Sequence, residues 1–125
     1  MKTVLVADDE PMVTAIIASQ LSEAGYLAQT AADGQSALDF IEKNHPDLVI
    51  LDIFMPRLSG AEVLVSMREH DETRGTPIIV LSGISCRCKG DGGGAGDLYA
   101  PDSSISKPWN PDELLAAVRR LIGLQ

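Results

Sequence analysis

Three acids and one base in this chain are spaced so that a parallel sheet would gather them. Asp52 closes the apolar run Val49-Ile50-Leu51 and leads into Ile53-Phe54-Met55-Pro56. Asp8-Asp9 closes a similar run, Val4-Leu5-Val6-Ala7, and Ser82 follows a third, Ile78–Leu81. Lys107 follows a short strand-like segment and precedes Pro108. Carboxylates brought this close repel one another unless cations intervene. Lys107 is one such cation. Mg²⁺ is the natural other, since it takes hard oxygen ligands from a few carboxylates, waters and a phosphate. An ionised carboxylate is already a nucleophile toward a phosphoryl group and needs no general base. Metal and lysine would offset charge on the transferring oxygens, and the Ser82 hydroxyl is placed to donate to one of them. Singly, each residue has a plainer role: a helix cap for Asp8 or Asp9, a loop cap for Asp52, a strand end for Ser82, a solvated surface charge for Lys107. Jointly, each just beyond a strand, they point to a metal-assisted phosphoryl site.

The elements that must position them follow from periodicity. Thr3–Ala7 is the first strand. Pro11 suits a first helical turn, and Val13, Ile16, Ile17 and Leu21 recur at helical spacing before a stop at Ala24-Gly25. Tyr26–Ala31 is a weaker, more polar strand. Asp33 is a cap for a second helix with Ala37, Leu38 and Ile41 inward, ending at Asn44-His45-Pro46 with His45 on the surface. Leu48–Leu51 is the third strand. A loop through Pro56 and Gly60 leads to a third helix whose expected inner face is Ala61, Leu64 and Met67. A polar connection, His70–Thr76, leads to the fourth strand, Ile78–Leu81. Lys89–Asp97 then holds five glycines, each costing a helix interior about 0.5–1 kcal/mol relative to alanine, so any fourth helix there is degraded. Its Gly92-Gly93-Gly94-Ala95-Gly96-Asp97 lacks the Gly-Lys-Ser/Thr ending of a phosphate loop and the repetition of a calcium-binding array. Ser104–Ser106 is a short fifth strand. Asn110-Pro111-Asp112-Glu113 opens a last helix, with Glu113 placed for a capping box and Leu114, Leu115, Val118, Leu121 and Ile122 as its stripe.

Strands alternating with helices imply an α/β fold, a doubly wound parallel sheet with helices on both faces. The uniformly apolar first, third and fourth strands belong at the centre. The poorer second and fifth belong at the edges, giving the order 2-1-3-4-5 with ligands beyond the carboxyl ends of the strands. On that flavodoxin-like topology Asp8, Asp9, Asp52, Ser82 and Lys107 converge.

At 125 residues and 45% hydrophobic content the chain suits one domain, residues 1–125, with one core. The net charge of −8 and scattered Lys and Arg exclude the clustered basic face that direct nucleic-acid binding needs. No apolar run approaches the ~20 residues of a membrane span. The first strand begins at once, leaving no room for a signal peptide, so a cytoplasmic location is expected. Cys86 and Cys88 form a lone C-x-C, short of the about four ligands zinc wants, and read as reduced thiols.

In combination Val6-Ala7-Asp8-Asp9-Glu10, Asp52-Ile53-Phe54-Met55-Pro56 with Gly60 following, Leu81-Ser82-Gly83 and Ser106-Lys107-Pro108-Trp109 resemble the receiver domain of two-component response regulators over nearly the whole chain. The resemblance implies that Asp52 is the phosphoacceptor. It also implies that Asp9, Asp52 and the Phe54 backbone carbonyl ligate Mg²⁺, with Asp8 acting mainly through water, and that Ser82 and Lys107 hold the phosphoryl oxygens. The Lys107-Pro108 bond looks like the family's cis peptide. The implied donor is a histidine kinase or a histidine phosphotransfer protein, and the implied output is altered partner binding, with weak self-dephosphorylation rather than an enzyme's turnover. Arg119 and Arg120 make the last helix a candidate face for a phosphorylation-dependent dimer, solvated charge being the plainer reading. Two departures bear on output. Ser104 stands where receivers carry the Tyr or Phe that moves on activation, and the segment before Lys107 is long and glycine-rich. The expectation is that Cys86–Tyr99 responds in place of that ring, with Tyr99 as a substitute.

A small phosphatase of the haloacid-dehalogenase type also uses an aspartyl nucleophile and Mg²⁺. It wants Asp-x-Asp after the first strand, where this chain has Glu10, and its lysine precedes the later acidic motif, whereas Lys107 follows Asp91 and Asp97. A flavin-binding domain on the same fold would cradle phosphate with hydroxyls and amides rather than with Asp8-Asp9.

Overall fold

The computed structural model describes residues 2–53, 59–82, 102–106 and 110–123. Five strands, β1 (Thr3–Ala7), β2 (Leu27–Ala31), β3 (Leu48–Asp52), β4 (Ile78–Ser82) and β5 (Ser103–Ser106), form one sheet. Its order is β2-β1-β3-β4-β5 and every pairing is parallel, as the hydropathy of the strands implies. The described helices are α1 (Pro11–Glu23), α2 (Gly34–Asn44), α3 (Gly60–Glu69) and α4 (Pro111–Ile122). The expected degraded helix and the Cys86–Tyr99 segment lie outside the described residues.

Two-residue alternation along the strands divides the core between the two faces of the sheet. Val4, Val6, Ile50, Leu81 and Ile105 pack with Ile17 and Leu21 of α1 and Leu114 and Val118 of α4. Leu5, Ala7, Val49, Leu51 and Val80 pack with Ala37 and Ile41 of α2 and Val63 and Met67 of α3. β1 and β3 are buried almost throughout, whereas β2 is largely exposed or half-buried, as befits an edge.

Local chemistry sets the boundaries. Gly25 (φ 95°) closes α1. Its amide donates to Ser22 O at 3.1 Å and the Tyr26 amide to Leu21 O at 3.0 Å, the paired bonds of a Schellman stop. Tyr26 thus precedes β2 rather than starting it, and its hydroxyl donates to Gly123 O beyond α4 at 2.6 Å. Asp33 caps α2 by accepting from the Ser36 amide at 2.7 Å. Ser59 and Glu62 form a reciprocal capping box on α3 that the sequence reading did not pick out. Asn110 caps α4, accepting from the Asp112 amide at 2.8 Å. Two expected inner positions face out. Ile16 is 46% exposed while Thr14, Ile17 and Leu21 form the buried stripe of α1. Ala61 is exposed, while Leu64 and Met67 are buried as expected and are joined by Val63 and Arg68. In both helices most of the expected stripe is buried or half-buried, one expected position faces out, and a polar residue, Thr14 or Arg68, joins the buried face.

Candidate phosphoryl and metal site

Register carries the acidic residues to one edge of the sheet. Ala7 pairs with Leu51, Leu51 with Val80, and Val80 with Ser104. Asp8 directly follows Ala7 at the end of β1, and Asp52, the residue after Leu51, pairs with Leu81, which in turn pairs with Ile105. One residue further along, Ser82 pairs with Ser106, the residue immediately before Lys107. The side chain of Ser82, and Phe54 and Lys107 entirely, lie outside the described residues.

The carboxylates of Asp8, Asp9 and Glu10 lie within 4.8 Å of one another. Asp8 is 1% and Asp52 6% exposed, while Asp9 and Glu10 are open to solvent. Placing two carboxylates in the protein's edge costs free energy unless hydrogen bonds and cations offset it. Part of that offset is visible: Asp8 Oδ1 accepts from the Glu10 amide at 2.9 Å, which also fixes the turn between β1 and α1. Glu10 is the N-cap of α1 and its side chain makes no capping bond. The cap role open to Asp8 and Asp9 in the sequence is therefore not what holds them here. Glu10 joins the cluster although sequence reading gave it no ligand role; its position directly after Asp8-Asp9 was the available signal.

The backbone at the end of β3 lies close to the start of α3. The Gly60 amide donates to Ile53 O at 2.9 Å. A Cβ on Gly60 would lie 2.1 Å from the Asp52 carbonyl oxygen, closer than any side chain can approach backbone. Only glycine lets α3 start this near the end of β3.

An all-oxygen set of crowded carboxylates at the carboxyl edge of a doubly wound sheet suits a hard divalent ion and fits Mg²⁺. The arrangement defines a class of small α/β proteins that handle phosphoryl groups at the strand ends. Comparison with known proteins makes the class specific. The response regulator receiver domain model matches residues 4–119, and the chain belongs to that family. The response regulator MprA of Mycobacterium sp. (strain KMS) is 41% identical over 122 residues, covering 95% of this chain and 50% of that protein. The receiver domain of a Francisella response regulator superposes with a TM-score of 0.83 at 31% identity, covering 98% of this chain and 97% of that one. The response regulator TrrA of Thermotoga maritima, solved with Mg²⁺ and beryllofluoride, superposes with a TM-score of 0.81 at 36% identity over 97% of this chain and 99% of that one. This chain is a response regulator receiver domain of two-component signalling. It spans about half the length of the curated relatives it matches. Among the described residues no helix is long and apolar enough to cross a membrane.

Proposed function

We propose that this domain is a phosphorylation switch in which Asp52 accepts a phosphoryl group from a phosphohistidine on a histidine kinase or phosphotransfer protein. A carboxylate oxygen of Asp52 attacks phosphorus, a P–O bond forms, and the P–N bond to the donor imidazole breaks with its electron pair returning to nitrogen. Water later cleaves the acyl phosphate and restores the carboxylate. The observation that carries the reading is that Asp8 and Asp52 each directly follow the paired residues Ala7 and Leu51, which supports a candidate nucleophile on the same sheet edge as the Asp8–Glu10 cluster. Asp8, Asp9 and Asp52, with the Phe54 carbonyl, would hold Mg²⁺, and Glu10 adds charge beside them. The ion supplies charge neutralisation at the phosphoryl oxygens. The role of Ser82 and Lys107 is to donate to those oxygens, and the shared level of Ser82 and Ser106 supports it. Signalling output is a change in what the domain binds, and self-dephosphorylation sets its duration.

The test is intact mass after incubation with acetyl phosphate, with and without Mg²⁺, followed by mapping of the acid-stable but base-labile adduct. A Mg²⁺-dependent gain of one phosphoryl group on Asp52 that disappears in Asp52→Asn is expected. Labelling of that variant to the same extent would place the acceptor elsewhere.

A further inference from the structure

Outside the phosphoryl site the most developed surface feature is a groove between α2 and α3. It opens as a hollow of about 470 Å³ floored by Leu38 of α2 and Ala61 and Val65 of α3. A second hollow of about 210 Å³ shares Leu38, Ser66 and His70 with it, so the two are continuous. Val65 is 38% exposed, one of the few large apolar side chains left in solvent among the described residues. Glu62 and Glu69 stand at the larger hollow and Glu42 and Glu72 at the smaller, and neither is lined by Lys or Arg.

Two described arginines near the groove are engaged elsewhere. Arg68 is buried against Asp102 at 2.7 Å, and Arg74 pairs with Asp71 at 2.9 Å. His70 donates from Nδ1 to Ser66 O at 2.6 Å. An apolar floor with an acidic rim selects its occupant by charge. Nucleic acid and anionic membrane are repelled. A second copy of this chain, at net charge −8, brings like charge to like.

We propose that the α2–α3 groove is a docking site for a basic amphipathic helix of a partner protein. Aliphatic side chains at successive helical turns would seat on Leu38, Ala61 and Val65, with lysines or arginines meeting the four glutamates. The surface is separate from Asp52 and the Asp8–Glu10 cluster, and its occupancy does not require phosphorylation.

The probe is a synthetic peptide of about 18 residues, leucine and lysine in amphipathic helical order, titrated into the ¹⁵N-labelled domain. A matched peptide with glutamate for lysine is the control. Saturable shifts centred on Leu38, Ala61, Val65, Ser66 and His70 are expected, with affinity falling at least about tenfold on raising salt to about 0.5 M. Val65→Lys and the pair Glu69→Lys with Glu72→Lys should each weaken binding at least about tenfold, while exposed changes of this kind leave the melting temperature and Asp52 labelling unaltered. Asp52→Asn should bind the peptide like the wild type, which separates this proposal from the phosphoacceptor reading. The proposal is overturned by absence of binding, by shifts spread over Asp9, Glu10 and α1 that Val65→Lys leaves intact, or by equal binding of the glutamate peptide. Concentration-dependent shifts at the groove without peptide would identify a second copy as the occupant and overturn it equally.

Discussion

Arg68 Nη2 donates to Asp102 Oδ2 across 2.7 Å, joining the last turns of α3 to the entrance of β5. The same guanidinium donates from Nη1 to Arg74 O at 2.7 Å and Thr76 O at 2.8 Å, and Asp102 Oδ2 also accepts from the Ile78 amide at 2.8 Å. One ion pair, with Arg68 buried and Asp102 half-buried, therefore fixes the connection after α3, the start of β4 and the start of β5. The strand it anchors is the one that ends at Ser106, beside the site.

Removing one member of such a pair leaves the other's charge and hydrogen bonds uncompensated, at about 3–5 kcal/mol in buried cases. Arg68→Met should therefore lower the stability of the domain by about 3 kcal/mol in urea titration. Asp102→Asn should cost less, because its amide oxygen can still accept from the Ile78 amide. Equal losses in both variants would show that the pair does not act through these shared acceptors.

Gly60 offers a second test, this time at the nucleophile. Alanine there must displace the Asp52 carbonyl, since its Cβ would lie 2.1 Å from that oxygen. Overpacking of this kind costs about 1–3 kcal/mol, and the shift falls on the residue that accepts phosphate in the proposed reaction. Gly60→Ala should therefore slow Asp52 labelling by acetyl phosphate as well as lower stability. Ser59→Ala removes only the neighbouring cap and should cost about 1 kcal/mol with labelling preserved. If both variants label at the wild-type rate, close approach at Gly60 has no part in placing Asp52.

Strand order, and with it the placement of Asp8 and Asp52 at the carboxyl edge of the sheet, were legible because they rest on gross hydropathy. Uniformly apolar strands must be central, and a parallel sheet puts every strand's carboxyl end on one edge. The exact buried stripes of α1 and α3 were not legible. Ile16 and Ala61 have the right spacing for an inner face, yet the structure buries Thr14 and Arg68. Thr14 is accommodated because its hydroxyl donates to Pro11 O at 3.0 Å. Arg68 is accommodated because its charge meets Asp102, 34 residues along the chain. Hydrophobic periodicity carries no trace of either partner. The α2–α3 groove escaped for a similar reason: its acidic rim is assembled from two helices and a turn, and no single stretch of sequence displays it.

The last prediction separates the two consequences of crowding carboxylates at the end of β1. Unit charges about 5 Å apart repel by about 1 kcal/mol even in water, and Asp8, Asp9 and Glu10 lie within 4.8 Å of one another. Without a divalent ion, neutralising one of them should stabilise the fold slightly; with the ion, it should remove a ligand or an attractive charge. Asp9→Asn and Glu10→Gln should thus melt higher than the wild type in chelator. Mg²⁺ should raise the wild-type melting temperature by linkage, and raise it less in either variant, least in Asp9→Asn. Asp8→Asn will gain less in chelator, because Asp8 is buried and its Oδ1 orders the Glu10 amide, a bond an asparagine oxygen only partly replaces. Thermal melts across a Mg²⁺ titration read both effects at once. Variants that melt lower in chelator and respond fully to Mg²⁺ would mean that the three carboxylates are held by the fold for its own sake, not for a cation.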